Sequence, residues 1–274
     1  MTIQSTPKLL VATDLDATLL DHQTYRYDAA LSAIEALKAN QCPIIFNSSK
    51  THAEQTVLRK ALAIDDPFIL ENGAAVVIPP GQLDHPATAV SPDIKVFGLP
   101  YAELVEHLAR LRQRHGYSFR GFADLTAEEL AELTGLSEEG AIAAQQRSGS
   151  EPLCWDDSEA AYDAFVAELT TLGLQTTQGG RFRHVMAKTD KGTALQWLVE
   201  KYQDTFPAVD WHVVALGDSP NDLPMLRRAD IGVLIPNPHR APFDATGIET
   251  LIQPTQPGPA GWADAMHDII RQYL

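Results

Sequence analysis

Apolar residues fall into short runs separated by amphipathic stretches, and this rhythm predicts the elements. "KLLVATDL" (8–15) is a compact apolar run that reads as a buried strand. "YDAALSAIEALKANQ" (27–41) places Ala30, Ile34 and Leu37 at helical spacing. "PIIFNSS" (43–49) predicts a second strand that ends in polar residues. "THAEQTVLRKALAI" (51–64) predicts a second helix, with Thr51 or Ser49 as N-cap. "PFILENGAAVVIPP" (67–80) has strand character broken at Asn72-Gly73, a turn signal. Strand and helix in alternation predict a parallel sheet with helices on its faces.

The texture then changes. Residues 81–100 are rich in proline and turn formers and suggest a boundary. Clear helical patterns at 101–116 and 158–173 are each followed by strand candidates, "YSFRGF" (117–122) and "LQTTQGG" running into "RFRHVMA" (174–187). Between them, "LTAEELAELTGLSEEGAIAAQQR" (125–147) is helical and acidic with an internal turn, its run from Glu128 to Glu139 reading as a solvated face. After Lys188 the first rhythm returns as helix (191–203), strand (212–218), helix (221–229) and strand (231–236). The economical reading is one α/β core, residues 1–84 and 188–274, interrupted by an α/β insert over 85–187.

Composition narrows the function. The chain has 274 residues, 45% hydrophobic, with 21 Lys plus Arg against 36 Asp plus Glu, a formal net charge of −15. That balance disfavours nonspecific binding to nucleic acid or anionic membranes, which requires a basic face. No apolar stretch approaches the roughly 20 residues that span a bilayer. Two cysteines, Cys42 and Cys154, and no secretory pattern point to a reducing cytoplasm. An anionic substrate would therefore need a local metal or a few placed cations.

Four short stretches carry the chemistry, and three follow apolar strands, where open α/β sheets bind ligands. They are Asp14-Leu15-Asp16-Ala17-Thr18, Asn47-Ser48-Ser49-Lys50, Asp190-Lys191-Gly192, and "GDSPND" with Asp218, Asn221 and Asp222. Two unit charges about 4 Å apart repel by about 4 kcal/mol even at an effective dielectric near 20. Four carboxylates on one sheet edge therefore call for a hard divalent cation, and Mg²⁺ suits such oxygen ligands with substrate phosphate. Ser48 and Ser49 suit a helix cap and a phosphate site alike. Asp222 also fits a helix-start acid.

Taken in order, "DLDATLL", "SS", "DKG" and "GDSPND" resemble the haloacid dehalogenase-like superfamily of phosphatases. The insert resembles the subgroup with an α/β cap. "FNSSKTHAE", "ILENGAAV", "GGRFRHVMAKTDKG" and "ALGDSPNDLPML" are similar to its mannosyl-3-phosphoglycerate phosphatase branch. The resemblance implies a doubly wound, Rossmann-like parallel-sheet core and a Mg²⁺-dependent phosphomonoesterase acting on a phosphorylated sugar. Its implied substrate is mannosyl-3-phosphoglycerate, with glucosyl-3-phosphoglycerate or sucrose phosphate as alternatives. Asp14 would be the nucleophile and a metal ligand. Asp16 would be the general acid/base, with its carbonyl on the metal. Ser48 would bind the phosphoryl group and Lys191 would steady nucleophile and phosphate. Asp218 would ligate Mg²⁺, Asp222 would sit on metal-bound water or orient Lys191, and Asn221 would support them.

Residues of the insert are expected to choose the substrate. Strand alternation puts Arg181 and Arg183 on one face, and a fork from Arg181 would suit a glycerate carboxylate or a phosphate; a solvated face is the alternative. "QRSGSEPLCW" offers Arg147 and Glu151 as sugar or glycerate ligands, or is an ordinary surface loop. Glu71, Asn72 and Gly73 form either a simple turn or a sugar-facing loop. The partner expected is a small phosphorylated sugar, with the protein a monomer or weak homo-oligomer. A metal- or phosphate-binding module without turnover is the non-enzyme rival, disfavoured because Asp14 and Asp16 are both present. Ala17 stands where the family pattern has glycine, and a negative φ is expected there, since alanine would be strained otherwise.

Overall fold

A computed structural model describes residues 6–179 and 182–274. The first apolar run forms β1 (Thr6–Thr13), and its period-two alternation sends Leu9 and Val11 to one face and Leu10 and Ala12 to the other. All four are buried, as a central parallel strand requires. α1 (Leu31–Ala39), β2 (Ile44–Phe46) and α2 (His52–Leu62) follow. Thr51 is the N-cap of α2, in a reciprocal capping box with Glu54.

β3 (Phe68–Leu70), β4 (Ala75–Ile78) and β5 (Asp93–Val96) form an antiparallel sheet in the order β3-β4-β5. An isolated bridge from Asn47 to Ile69 joins β3 to the end of β2. β5 falls inside the stretch expected for the insert, yet pairs with β4 in the register Ala75–Val96 and Val77–Ile94. The proline-rich boundary therefore hides a strand that extends the core.

The insert is α3 (Tyr101–His115), β6 (Phe119–Gly121), α4 (Ala127–Thr134), α5 (Glu138–Gln145), β7 (Ser150–Trp155), α6 (Glu159–Thr171), β8 (Leu174–Gly179) and β9 (Phe182–Ala187). Its antiparallel sheet has the order β6-β7-β9-β8. Leu104, Leu108 and Phe165 from α3 and α6 pack with Leu153 and Val185 of the sheet. β7 replaces the loop that "SGSEPLCW" suggested. Pro152 is tolerated because it faces only β9: the pairing to β6 begins at Leu153.

The chain returns to the core through α7 (Lys191–Thr205), β10 (Val209–Gly217), α8 (Leu223–Leu226), β11 (Ile231–Leu234), β12 (Leu251–Ile252) and α9 (Gly258–Tyr273). The core sheet is parallel, in the order β12-β11-β10-β1-β2. One face packs on α1 and α9, the other on α7 and α8. Fully buried Trp262 of α9 donates from Nε1 to Thr13 Oγ1 at 3.0 Å, tying that helix to the end of β1. Thr13 pairs with Phe46 on one side and Leu216 on the other, so three strands end level and release their loops together. No helix among the described residues is long and apolar enough to cross a membrane.

Candidate active site

Level strand ends place the polar loops. Asp14 N donates to Leu216 O at 2.9 Å and Asn47 N to Thr13 O at 2.8 Å, so each loop keeps one more rung of ladder before it turns away. The carboxylates of Asp14, Asp218 and Asp222 are all buried and offer oxygens within 4.8 Å of one another. Lys191, the first residue of α7, is 1% exposed and answers them. Its Nζ lies 2.7 Å from Asp14 Oδ1 and 2.6 Å from Asp222 Oδ1.

Asp222 uses its other oxygen to accept from Asp218 N at 3.0 Å, Ser219 N at 2.9 Å and Ser219 Oγ at 2.8 Å. It therefore caps the one-turn helix Pro220–Asp222 and orients Lys191 at once, combining the two roles open in the sequence. Gly217 makes room for this: a Cβ there would lie 2.4 Å from Asp222 Cβ. Asp218 accepts from Thr18 Oγ1 at 3.2 Å and from Asn237 Nδ2 at 2.6 Å, with Arg240 Nε at 3.9 Å.

Burial is the largest push on Asp14 and holds its carboxyl well above the ordinary range; Lys191 opposes it, while Asp222, Asp218 and Asp16 add repulsion. Burial, then Asp222, raises Asp218 as well, against the Asn237 hydrogen bond. For Lys191 burial works against the charge, but Asp14 and Asp222 outweigh it and keep the ammonium protonated. Three buried carboxylates against this one ammonium leave a negative excess that fits a hard cation.

Asp16 turns away from that cluster. Its Oδ2 pairs with Lys50 Nζ at 3.1 Å, and its buried Oδ1 has no hydrogen-bond partner. Asp16 thus contributes no carboxylate oxygen to the three-carboxylate group. Ala17 overturns the expectation of a negative φ: its φ is +61°. The left-handed residue lets Leu20 N reach Leu15 O at 2.8 Å and brings Asp16 and Leu20 into bridge register. An alanine there costs about 1–2 kcal/mol of backbone strain.

A cleft of about 400 Å³ opens above these groups. Asp14, Asp16, Ser49 and Asn221 line it from the core, and Gln178 and Phe182 of β8 and β9 reach it from the insert. Tyr25, His22 and Arg240 line it as well. Ser48 is buried, and its Oγ accepts from Lys50 N at 3.4 Å. Asn72 accepts at Oδ1 from Asn221 Nδ2 at 3.0 Å and so meets the "GDSPND" loop rather than standing alone.

Arg147 and Glu151 are placed differently from the expectation that they hold sugar. The side chain of Arg147 is buried, with donors directed to Ser150 O, Ser150 Oγ, Ala144 O and Ser49 O. Glu151 accepts from Tyr101 Oη and Ala123 N, both at 2.8 Å, inside the insert, and burial raises its carboxyl. Neither lines the cleft with Asp14. Arg181 lies outside the described residues, while Arg183 pairs with Glu159 at 2.9 Å. Lys50, Asn237 and Thr18 went unassigned in the sequence. The polar "PNPHR" after β11 carried the same polar-after-strand signal that singled out the other loops.

A family model described as haloacid dehalogenase-like hydrolase matches residues 11–86 and 153–244. The chain belongs to the haloacid dehalogenase-like hydrolases. Two relatives are named glucosyl-3-phosphoglycerate/mannosyl-3-phosphoglycerate phosphatase. The one from Methanococcoides burtonii is 39% identical over 96% of this chain and 97% of its own. The one from Persephonella marina is 33% identical over 96% and 98%. Among solved structures, the HAD subclass IIB sugar phosphatase BT4131 superposes with a TM-score of 0.63 at 19% identity, covering 96% of this chain and 99% of that one. This last likeness speaks to the fold, a haloacid dehalogenase-like core with an inserted α/β unit. The chain is a phosphatase of this family.

Proposed function

We propose that this phosphatase is a Mg²⁺-dependent phosphomonoesterase that hydrolyses mannosyl-3-phosphoglycerate, or its glucosyl counterpart, through an aspartyl-phosphate on Asp14. The observation that carries the reading is Lys191 held between Asp14 and Asp222, with Asp14 lining a cleft that Gln178 of β8 and Phe182 of β9 also line. The names of the two relatives support the choice of substrate.

The oxygens of Asp14 and Asp218, clustered with Asp222, fit Mg²⁺ in number and hardness. When bound, Mg²⁺ would neutralise phosphoryl oxygens and the carboxylates around them. The chain's own groups do the rest. An Asp14 carboxylate oxygen attacks phosphorus as the ester P–O bond breaks, and Asp16 delivers its proton to the departing glycerate oxygen. Asp16 then takes a proton from water, whose oxygen attacks the same phosphorus; inorganic phosphate leaves and the Asp14 carboxylate is restored. Lys191 neutralises Asp14 beforehand and steadies the transferring group, while Asp222 holds Lys191 in line. Ser49 and Asn221, which face the cleft, suit the phosphoryl oxygens. Gln178 and Phe182 suit a sugar, one by hydrogen bond and one by apolar contact. We place the core at 1–84 and 188–274 together with β5, and the substrate-selecting cap after it.

The test is phosphate release from mannosyl-3-phosphoglycerate, glucosyl-3-phosphoglycerate and sucrose phosphate, with Mg²⁺ and with EDTA. Release from the first two, abolished by EDTA, is expected. Preference for sucrose phosphate would overturn the substrate, and silence on every ester would leave the non-catalytic binding module.

A further inference from the structure

Glu71 does not face a sugar. It sits between β3 and β4 in the core, its side chain wholly buried, and its φ of +53° is left-handed, as is that of Asn72 at +59°. A non-glycine pair in this region stores strain that surrounding contacts must hold in place. Those contacts reach into the cap. Glu71 Oε1 accepts from Ser148 N at 2.6 Å; Oε2 accepts from Gly149 N at 3.2 Å, Ser150 N at 2.9 Å and Ser150 Oγ at 2.9 Å. Arg147 Nε lies 3.6 Å from Oε2, and its other donors reach Ala144 O and Ser49 O. One carboxylate of the core thus takes three successive backbone N–H groups at the start of the central cap strand β7.

The same turn grips the catalytic loops. Glu71 N donates to Lys50 O at 3.2 Å and Asn72 N to Ser48 O at 3.0 Å. Gly73 O accepts from Thr189 Oγ1 at 3.1 Å, just before Lys191. Gly73 has a φ of +94°, and a Cβ there would stand 2.2 Å from Asp190 O, so only glycine lets the two segments meet. A second tie runs from Thr51 Oγ1 to Ala143 O at 2.8 Å.

We infer that Glu71 is a positioning residue: its buried carboxylate fixes the 148–150 segment, and through it the cap's placement over Asp14 and Asp16. The role rests on the proposed sugar-phosphate substrate, whose leaving group the cap would hold. Glutamine is nearly isosteric but offers one acceptor and one NH₂, which would confront the N–H groups that two oxygens now receive. A displaced cap should cost more for a substrate that fills the cleft than for a small ester, because misplacement acts through the group it positions.

The experiment compares wild type with Glu71→Gln on mannosyl-3-phosphoglycerate and on p-nitrophenyl phosphate. The ratio of the two kcat/KM values is expected to fall about 30-fold, in the range that small misplacements produce. Hydrogen exchange at 148–150 is expected to quicken at least about tenfold while β1 and β10 stay protected. Because Glu71→Gln leaves Arg147 buried beside a neutral partner, the double variant E71Q/R147M removes both charges. It should recover the thermal midpoint and keep the low ratio. A ratio that is unchanged, or that recovers with the midpoint, overturns the inference, as does exchange that is unchanged or rises uniformly. If wild type spares mannosyl-3-phosphoglycerate, the substrate reading fails, and the exchange pattern alone decides the inference.

Discussion

Core and cap handle their charges in opposite ways. In the core, buried Lys191 lies 2.7 Å from Asp14 and 2.6 Å from Asp222, where an unmatched charge would be costly. In the cap most acids stay in water, Glu128, Glu129, Glu132, Glu138 and Glu139 among them. Among its buried polar side chains, Glu151 accepts from Tyr101 and Ala123 N, and Arg147 donates to Ser150 and lies 3.6 Å from Glu71 of the core. What the cap shows the cleft is an amide and a phenyl ring, Gln178 and Phe182. On the proposed reading, the core carries the reaction and the cap selects the leaving group.

The first way to break this division is Asp14→Asn, which removes the attacking oxygen's charge. Turnover of every phosphate ester should fall by at least about 10⁴-fold, as losing a nucleophile does, with circular dichroism unchanged. A variant within tenfold of wild type would rule out covalent chemistry in the core. Lys191→Met comes next. It leaves Asp14 and Asp222 facing each other in the interior, and removing one partner of a buried pair costs about 3–5 kcal/mol. Urea titration should show that loss in the absence of metal; a change under 1 kcal/mol would mean the carboxylates do not need the ammonium.

Metal sharpens the contrast in the middle of the range. Mg²⁺ at a hundredfold excess over its Kd should add about 2.7 kcal/mol to stability, seen as a higher thermal midpoint that EDTA reverses. Asp218→Asn should erase most of that rise, whereas Glu151→Gln in the cap should keep it. Gln178→Ala is smaller: losing one hydrogen bond worth about 1 kcal/mol should lower kcat/KM for the sugar ester several-fold and spare p-nitrophenyl phosphate. Equal losses on both would put Gln178 on the phosphate side. Smallest of all is Ala17→Gly. Relief of the left-handed alanine and the added freedom of the unfolded chain nearly offset each other, so stability should move by less than about 1 kcal/mol. A larger gain would mean the loop is more strained than its φ of +61° implies.

What could be read in advance depended on the strength of the local signal. Strand β1 and the acids after it were legible because a run buried on both faces has one pattern and a carboxylate at its end has few explanations. Segments of weak signal were missed in cap and core alike. Pro152 masked β7, which survives because its unpaired side faces no neighbour at that residue. Proline-rich flanks masked β5, although Ile94 and Val96 alternate as a strand should. The resemblance of "QRSGSEPLCW" to the family's cap segment offers Arg147 as a ligand; the anion it meets is Glu71, 76 positions earlier in the chain. The C-terminal helix α9, with Trp262 at its heart, also went unassigned.

By itself, then, the sequence determined the α/β core, the insertion and the order of the acidic and basic motifs, because hydrophobic period and residue type are local properties. Tertiary structure alone decided which charges meet. Lys191 reaches Asp14 across 177 residues, Lys50 takes Asp16, Asn237 takes Asp218, and Glu71 leaves the substrate side to grip the cap. Strand register brings such groups within a few ångströms, and at that range the cost of an unpaired buried charge selects the partner.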